Sequence, residues 1–360
     1  MENNERARQL SHEDSRKSGG FDFASVSTKK AALFIICLAV AMVVVSAVSL
    51  LVGRFPIDPF VGLQILFSQI FPIEPTWTTQ VESIYLNVRL PRIILALLVG
   101  CALASAGAAY QGTFQNPLVS PDILGASQGA AFGAALAILL GFSSFALSAT
   151  AFTFSLATVA MVLLISTRAK GNRILVVVLA GVMMSSLLSA GVSFIKLIAD
   201  PTNQLPEITY WLMGALNGAT MKEVYLAGPI IVVGCAVLFA LRWKINILTM
   251  GDEEATTMGI NVNRTRFVII LCATLVTAAS VAVSGMIGWV GLVVPHLCRM
   301  VVGADYRKLM PASMLGGATF LLIVDDIARL LSTSEIPIGI LTAFVGAPFF
   351  LYLITRKKRA

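Results

Sequence analysis

Long apolar runs separated by short polar segments dominate the chain from Ala31 to Thr355. A helix needs about 20 apolar residues to cross the hydrocarbon core of a bilayer. No water is present there to satisfy backbone polar groups, so a spanning segment must be a helix or a strand of a closed barrel. The runs are too long and too uniformly apolar for the alternating strands of a barrel. The pattern therefore predicts an all-α membrane protein with about ten transmembrane helices.

Two of the charge-free runs are too long for one crossing. We expect Ile123–Thr167 to divide at the glycine and serine residues of Gly141–Ser144. We expect Phe267–Pro295 to divide at its glycines, which leaves a short eighth helix that ends near Pro295. With two spans in each of these runs, the other six are Ala31–Gly53, Ile93–Gln111, Ile174–Ile195, Val224–Leu241, Met310–Arg329 and Pro337–Thr355.

The polar ends of the chain flank this membrane domain of residues 31–355. Residues 1–30 are polar and predict a flexible cytoplasmic tail, and residues 356–360 form a basic cytoplasmic C-terminus. The run Ala31–Gly53 is longer than the apolar core of a signal peptide, so we interpret it as a retained first helix. Ten spans place both termini on one side. With that side inside, twenty of the 26 Lys and Arg residues fall in cytoplasmic segments, as the positive-inside rule requires.

Composition narrows the class of protein further. Hydrophobic residues make up 57% of the chain and charged residues only 12%, against roughly 25% charged in a soluble domain. The net charge is +7. The basic residues lie between the apolar runs and reflect membrane orientation, so no nucleic-acid partner is predicted. The five cysteines lie singly in apolar segments, and we interpret them as packing residues without a disulfide or metal role.

Motifs for enzyme chemistry are missing from the sequence. It contains no GxxxxGK[ST] phosphate loop, no HExxH and no GxSxG. His296 follows Pro295 and is interpreted as a packed or capping histidine. No catalytic residue, metal site or cofactor is therefore predicted in this chain, and an intramembrane enzyme is the most remote of the hypotheses.

Charged residues late in the ninth span admit two interpretations. Asp325 and Arg329 are four residues apart, so on a helix they face each other and can form an ion pair. Intramembrane carboxylates such as Asp325 and Asp326 also serve as proton relays in transporters. The ion pair that orients the helix is favoured, and a proton-coupled secondary transporter is the alternative.

The polar segment 244–266 is the longest predicted cytoplasmic loop. Its acidic residues Asp252, Glu253 and Glu254 suit a helix start, and Gly259 suits a helix end. Two short helices joined by a glycine turn would form a rigid projection. A plain solvated loop is the alternative on composition alone.

Five stretches carry a resemblance to a known family. They are RLPRIILALLVGCALASAGAAYQGTFQNPLVSPDILGASQGA (89–130), GDEEATTMGINV (251–262), GWVGLVVPHLCRM (288–300), ADYRKLMPASMLGGATFLLIVDDIAR (304–329) and EIPIGILTAFVGAPFFLYLI (335–354). The chain resembles the permease subunits of type II ABC importers for iron–siderophore complexes, haem and cobalamin. The five stretches cover most of residues 85–355 in the order expected for this family.

The resemblance implies a homodimer in the cell membrane with the pathway along its axis. Two ATPase subunits would bind the cytoplasmic side and use ATP and Mg, and an extracytoplasmic binding protein would deliver the substrate. A bulky metal chelate is implied, with ferric siderophore as the first candidate and haem or cobalamin as alternatives.

Three groups of site residues are carried over from the family. The resemblance implies ATPase coupling by Gly251, Glu254, Ala255 and Gly259. It implies a cytoplasmic gate at Asn116, Pro117 and Leu118. It implies docking of the binding protein by Arg89, Arg92 and Arg329. Contact with lipid headgroups is the alternative for these arginines.

Overall fold

The computed structural model describes residues 27–53, 55, 57–72, 74–168, 173–332 and 335–355. The predicted tail up to residue 26 and the basic residues 356–360 lie outside the described residues. Fourteen helices form in the described part of the chain. They are α1 Thr28–Leu51, α2 Pro59–Ser68, α3 Thr79–Thr113, α4 Ala126–Leu139, α5 Ser144–Arg168, α6 Arg173–Ile198, α7 Gln204–Met213, α8 Met221–Ala240, α9 Arg242–Leu248, α10 Asp252–Thr257, α11 Val262–Ser284, α12 Val290–Val302, α13 Tyr306–Leu330 and α14 Ile338–Thr355.

Each of the ten predicted spans coincides with one of these helices over most of its length, so the all-α membrane fold is confirmed. Seven of them (α1, α3, α5, α6, α8, α11 and α13) are long and apolar enough to cross a membrane. The helices α4 and α12 are shorter, with 14 and 13 residues. At 1.5 Å per residue, they cover only part of a bilayer. Irregular backbone precedes both, in the 3₁₀ turn Pro121–Leu124 and in the stretch 285–289.

The predicted end of the eighth span is wrong. The helix α12 begins at Val290 and continues to Val302, so Pro295 and His296 lie in its middle. A proline is accepted here because neighbouring helices cover the backbone group that it frees. His296 is buried and packs against Phe349 and Phe350 of α14. The histidine is therefore a packed residue, as predicted, although it does not cap a helix end.

The helix α3 lies at the centre of the bundle and is the most buried of the long helices. Its small residues allow very close crossings. A Cβ atom on Gly100 would lie 2.2 Å from the backbone oxygen of Gly317 in α13, and one on Gly107 would lie 1.8 Å from that of Gly291 in α12. Small residues are favoured where membrane helices approach in this way, because packing and not the hydrophobic effect holds the helices together in lipid.

The loops gather at two ends of the bundle. One end carries the loop 114–125 and the helices α9 and α10, and the other carries α2 and α7. Following the charge bias of the sequence, we call these the inner end and the outer end. Both ends contain buried polar residues, and these are the candidate sites.

Candidate functional site

A cluster of six charged residues lies at the outer end, where α1, α3 and α13 meet. We call it the outer charge cluster, and it consists of Arg89, Arg92, Asp325, Asp326, Arg329 and Glu335. Arg92 is its centre. Its Nη2 lies 2.8 Å from Asp325 Oδ1 and its Nε 2.9 Å from Asp325 Oδ2, and its Nη1 lies 3.0 Å from Glu335 Oε2. This paired geometry on a carboxylate is the strong form of an ion pair.

Arg329 joins the end of α13 to α1. It pairs with Asp326 and donates to Ser49 Oγ at 2.9 Å, and Ser49 donates to Asp326 at 2.7 Å. The predicted pairing with Asp325 is present at 3.9 Å. Arg92 is nevertheless the closer partner of Asp325 and lies 233 residues away in sequence, a distance at which spacing gives no signal.

Arg89 binds the end of α1. Its guanidinium donates to the carbonyl oxygens of Leu50 at 2.6 Å, Leu51 at 2.9 Å and Phe55. The last carbonyls of a helix lack partners within the helix and carry partial negative charge. A cation at this position therefore stabilises the end of α1 and ties it to α3. Arg89 ends a six-residue π-helical stretch, Ile84–Arg89, and such local widening often marks functional segments.

The outer charge cluster contains three guanidinium groups and three carboxylates, so its charges balance. Arg89, Arg92 and Arg329 are 4%, 7% and 7% exposed, and Asp325 is fully buried. The structure thus brings the three predicted docking arginines together, but inside the chain and bound to its own acceptors. Their docking role stays a prediction. Asp325 and Asp326, on which a proton relay would depend, are ion-paired with Arg92 and Arg329.

The predicted projection at the inner end has the expected helices. The helix α10 begins at Asp252 with its three acidic residues in the first turn, and it ends just before Gly259. Gly251 and Gly259 have φ values of +128° and +80°, a region that favours glycine. Ala255 is buried, whereas Glu254 is exposed. The structure places these four residues on one projection. We call its part 242–259, within and just before the predicted segment 244–266, the coupling segment, and its role in coupling stays a prediction.

The predicted gate residues form an exposed turn after α3. Asn116 Oδ1 accepts a hydrogen bond from the backbone N–H of Leu118 at 2.9 Å, so the side chain of Asn116 shapes the turn around Pro117. Leu118 is 58% exposed. We call 115–119 the gate loop, and its function as a gate stays a prediction.

A chain of hydrogen bonds connects the coupling segment to the gate loop. Gln115 Nε2 donates to the carbonyl oxygen of Leu248 at 2.8 Å. Asn246 Oδ1 accepts from the backbone N–H of Tyr306 at 3.1 Å, and the Tyr306 hydroxyl accepts from Arg299 at 3.0 Å. Arg299 also donates to Gln111 Oε1 at 2.9 Å. We call these six residues the inner relay: Gln111, Gln115, Asn246, Leu248, Arg299 and Tyr306.

Gln111 completes the connection to the gate loop. Its side-chain Nε2 donates to the backbone oxygen of Val119 at 3.4 Å, and its backbone carbonyl oxygen accepts from the backbone N–H of Asn116 at 3.1 Å. Sequence reasoning missed the inner relay. The available signal was Arg299, a charged residue that directly follows an apolar stretch. In the structure it is 5% exposed, and a buried guanidinium requires acceptors.

Comparisons with known proteins agree with this architecture. The sequence model of the FecCD transport family matches residues 37–356. The molybdate import system permease protein MolB of Haemophilus influenzae is 40% identical, over 89% of this chain and 95% of its own length. The hemin transport system permease protein HmuU of Yersinia pestis is 41% identical, over 78% of this chain and 87% of its own length. A solved structure, described as an inward-facing metal-chelate type ABC transporter, is 38% identical with a TM-score of 0.80 and covers 89% of this chain and 98% of its own.

Proposed function

The chain belongs to the FecCD transport family and is a permease subunit of an ABC transporter, and from this premise we propose that it forms the pathway of an ATP-driven importer for a bulky metal chelate. The observation that supports the proposal most directly is the inner relay. It connects an exposed projection, suited to an ATPase, with an exposed turn suited to a gate. The chain has no phosphate loop, so we assign ATP hydrolysis to a separate subunit.

The proposed mechanism begins at the coupling segment. Two ATPase subunits would hold it through the exposed face of α10, near Glu254, with the buried Ala255 anchoring the helix to the bundle. When the ATPases close, α9 would move with α10. Gln115 and Asn246 would then pass the displacement to the gate loop and to the start of α13, because hydrogen bonds join these elements directly. The gate at Asn116, Pro117 and Leu118 would change its opening as a result.

The proposed assembly is a homodimer in the inner membrane with both termini in the cytoplasm. The charge bias of the sequence supports this orientation. Large apolar side chains such as Met183 and Leu187 on α6 and Phe344 on α14 are 71%, 65% and 73% exposed. Lipid or a second subunit must cover such faces. A soluble binding protein would dock at the outer end, around Arg89, Arg92 and Arg329, on a surface that the outer charge cluster holds in place.

Ferric siderophore is the proposed substrate, with haem and cobalamin as the alternatives. The hemin permease and the metal-chelate type transporter among the similar proteins support an iron chelate. The similarity to a molybdate permease adds a small oxyanion to the substrates that must be compared. The binding protein would select the substrate, so a binding assay on it decides among them.

Transport by the reconstituted complex tests the proposal. The chain is purified with its companion ATPase and binding protein, placed in proteoliposomes, and assayed for uptake of ferric siderophore, haem, cobalamin and molybdate. We expect uptake only with ATP. Uptake driven by a proton gradient without the ATPase would contradict the proposal and support a secondary transporter.

The inner relay is tested by the substitution Gln115→Ala, which removes the bond to Leu248. We expect the ratio of substrate transported to ATP hydrolysed to fall at least threefold while hydrolysis continues. Gln69→Ala is the matched control, because Gln69 is exposed at the outer end and, among the described residues, its side-chain amide donates a hydrogen bond only to its neighbour Ser68. Equal ratios in the two variants would exclude the relay as a route of coupling.

A further inference from the structure

A groove opens at the inner end between α5, α6 and α11. It is a shallow groove, open on one side, with a cavity volume of about 40 Å³. Its lining includes Leu163 and Ser166 of α5, Ile174 and Val177 of α6, and Arg266 and Phe267 of α11. These residues lie within about two turns of the inner ends of their helices, so the groove is at the level where the apolar core of the membrane gives way to headgroups.

Arg266 is the charged residue of this groove and is only 8% exposed. Its Nη2 and Nη1 donate to Asp252 of α10 at 2.7 and 3.1 Å. Its Nε–H is buried and has no hydrogen-bond partner in the described part of the chain. A buried donor without an acceptor is destabilising, and Arg266 lines the groove, so an acceptor oxygen in the groove would be favoured.

The surroundings of Arg266 suit an amphiphile. The walls beside it are mostly apolar, and Phe267 at the rim is 55% exposed. Asp252 neutralises part of the guanidinium charge but is itself 54% exposed on its side chain. Basic pockets between membrane helices on the cytoplasmic side bind acidic lipid headgroups, and a guanidinium binds phosphate oxygens well.

We propose that this groove binds an acidic phospholipid of the inner leaflet. A phosphate oxygen accepts the hydrogen bond of Arg266 Nε, and an acyl chain lies along Leu163, Ile174 and Phe267. Arg266 also holds α10 through Asp252, so a bound lipid fixes the guanidinium that positions the coupling segment. This second consequence rests on the proposed function, whereas lipid binding does not.

Lipid binding is measured on the purified full chain alone. Native mass spectrometry compares the retention of phosphatidylglycerol and phosphatidylcholine offered at equal concentration in mixed micelles. We expect one phosphatidylglycerol per chain, retained at least fivefold better than phosphatidylcholine. Equal retention of the two lipids would overturn the proposal.

Three variants locate the site. Ile174→Trp fills the groove, whereas its control Leu175→Trp adds the same side chain at an adjacent, 56% exposed position that does not line the groove. Arg266→Lys keeps the positive charge and removes the Nε–H donor. We expect the preference for phosphatidylglycerol to disappear in Ile174→Trp and in Arg266→Lys and to persist in Leu175→Trp. A preference that survives in Ile174→Trp would exclude this groove.

Two other occupants give different results. Glycerol 3-phosphate, added to the mixed micelles at the same concentration as phosphatidylglycerol, tests a soluble anion. Complete displacement of phosphatidylglycerol from the chain by this anion would overturn the lipid assignment. A change in oligomeric state in Ile174→Trp with no change in lipid preference would identify the groove as a subunit contact and would also overturn it. Because no ATPase is present, failure here leaves the proposed importer function untouched.

Discussion

Replacing Asp325 with asparagine removes one negative charge from the outer charge cluster and leaves a net positive charge in a buried site. Asp325 is fully buried and receives hydrogen bonds from Arg92 at 2.8 and 2.9 Å. Arg92 keeps Glu335, which is 27% exposed on its side chain, and Arg329 keeps Asp326. Removing one partner of a buried ion pair destabilises a protein by roughly 3–5 kcal/mol. We expect the free energy of unfolding to fall by about this amount in Asp325→Asn.

The matched control is Asp305→Asn at the inner start of the same helix. The partner of Asp305 is Arg307, which is 60% exposed on its side chain, and asparagine caps a helix about as well as aspartate. An exposed pair contributes about 0–1 kcal/mol, so the control loses little. The double variant Arg92→Met, Asp325→Leu replaces the pair by apolar side chains, which is often nearly neutral. It should recover at least half of the loss seen in Asp325→Asn.

Unfolding can be followed in mixed micelles by titration with a denaturing detergent. A maleimide fluorophore reports the transition, because Cys235, Cys272 and Cys298 are buried in the folded chain and become reactive on unfolding. If Asp325→Asn is as stable as Asp305→Asn, the cluster does not hold the outer end together. A double variant no more stable than Asp325→Asn would show that the loss is not due to an unpaired charge.

Two further substitutions test the helix crossings and the coupling segment. Gly107→Val should destabilise the chain by at least about 3 kcal/mol, the upper range for overpacked cores, because its Cβ would meet backbone 1.8 Å away. Gly288→Ala is the control, because no atom of the described residues lies within 4 Å of its Cβ. Equal monodispersity of the two variants in size-exclusion chromatography would contradict the crossing. In Gly259→Val the new Cβ would have no described atom within 4 Å, but φ at this position is +80°, which strains valine by about 1–2 kcal/mol. The variant should therefore leave the bundle folded and lower ATP-driven uptake severalfold, and unchanged uptake would count against the coupling segment.

Sequence patterns located the spans, but they misplaced the end of one helix. The break between the seventh and eighth spans was expected within 285–291 and lies at 285–289, because glycines there allow irregular backbone. The end of the eighth span was misplaced at Pro295, since a proline that ends a helix in water is tolerated in α12 by the packing of its neighbours. The bounds of α10 were predicted, because acidic residues at a helix start and a glycine after its end act locally, whereas those of α9 were not.

The buried arginines show where prediction from sequence stops. Their positions against the charge bias indicated a special role, and an accessible docking surface was the natural expectation. The structure gives each of them acceptors within the chain, and their docking role stays a prediction. A charge pattern records that Arg92 and Arg329 lie near the outer end, but not whether they face water or one another.

The sequence by itself determined that this chain is helical, where its ten apolar spans lie and where the short helix α10 begins and ends. In lipid each backbone group must be satisfied within its own helix, so apolar runs and local end signals suffice for these properties. Only the tertiary structure decided that Arg92 pairs with Asp325, that Gly107 meets Gly291, and that Gln115 binds the backbone of Leu248. These contacts join residues far apart in the chain, and they depend on how each helix is rotated and tilted against its neighbours, which packing alone sets.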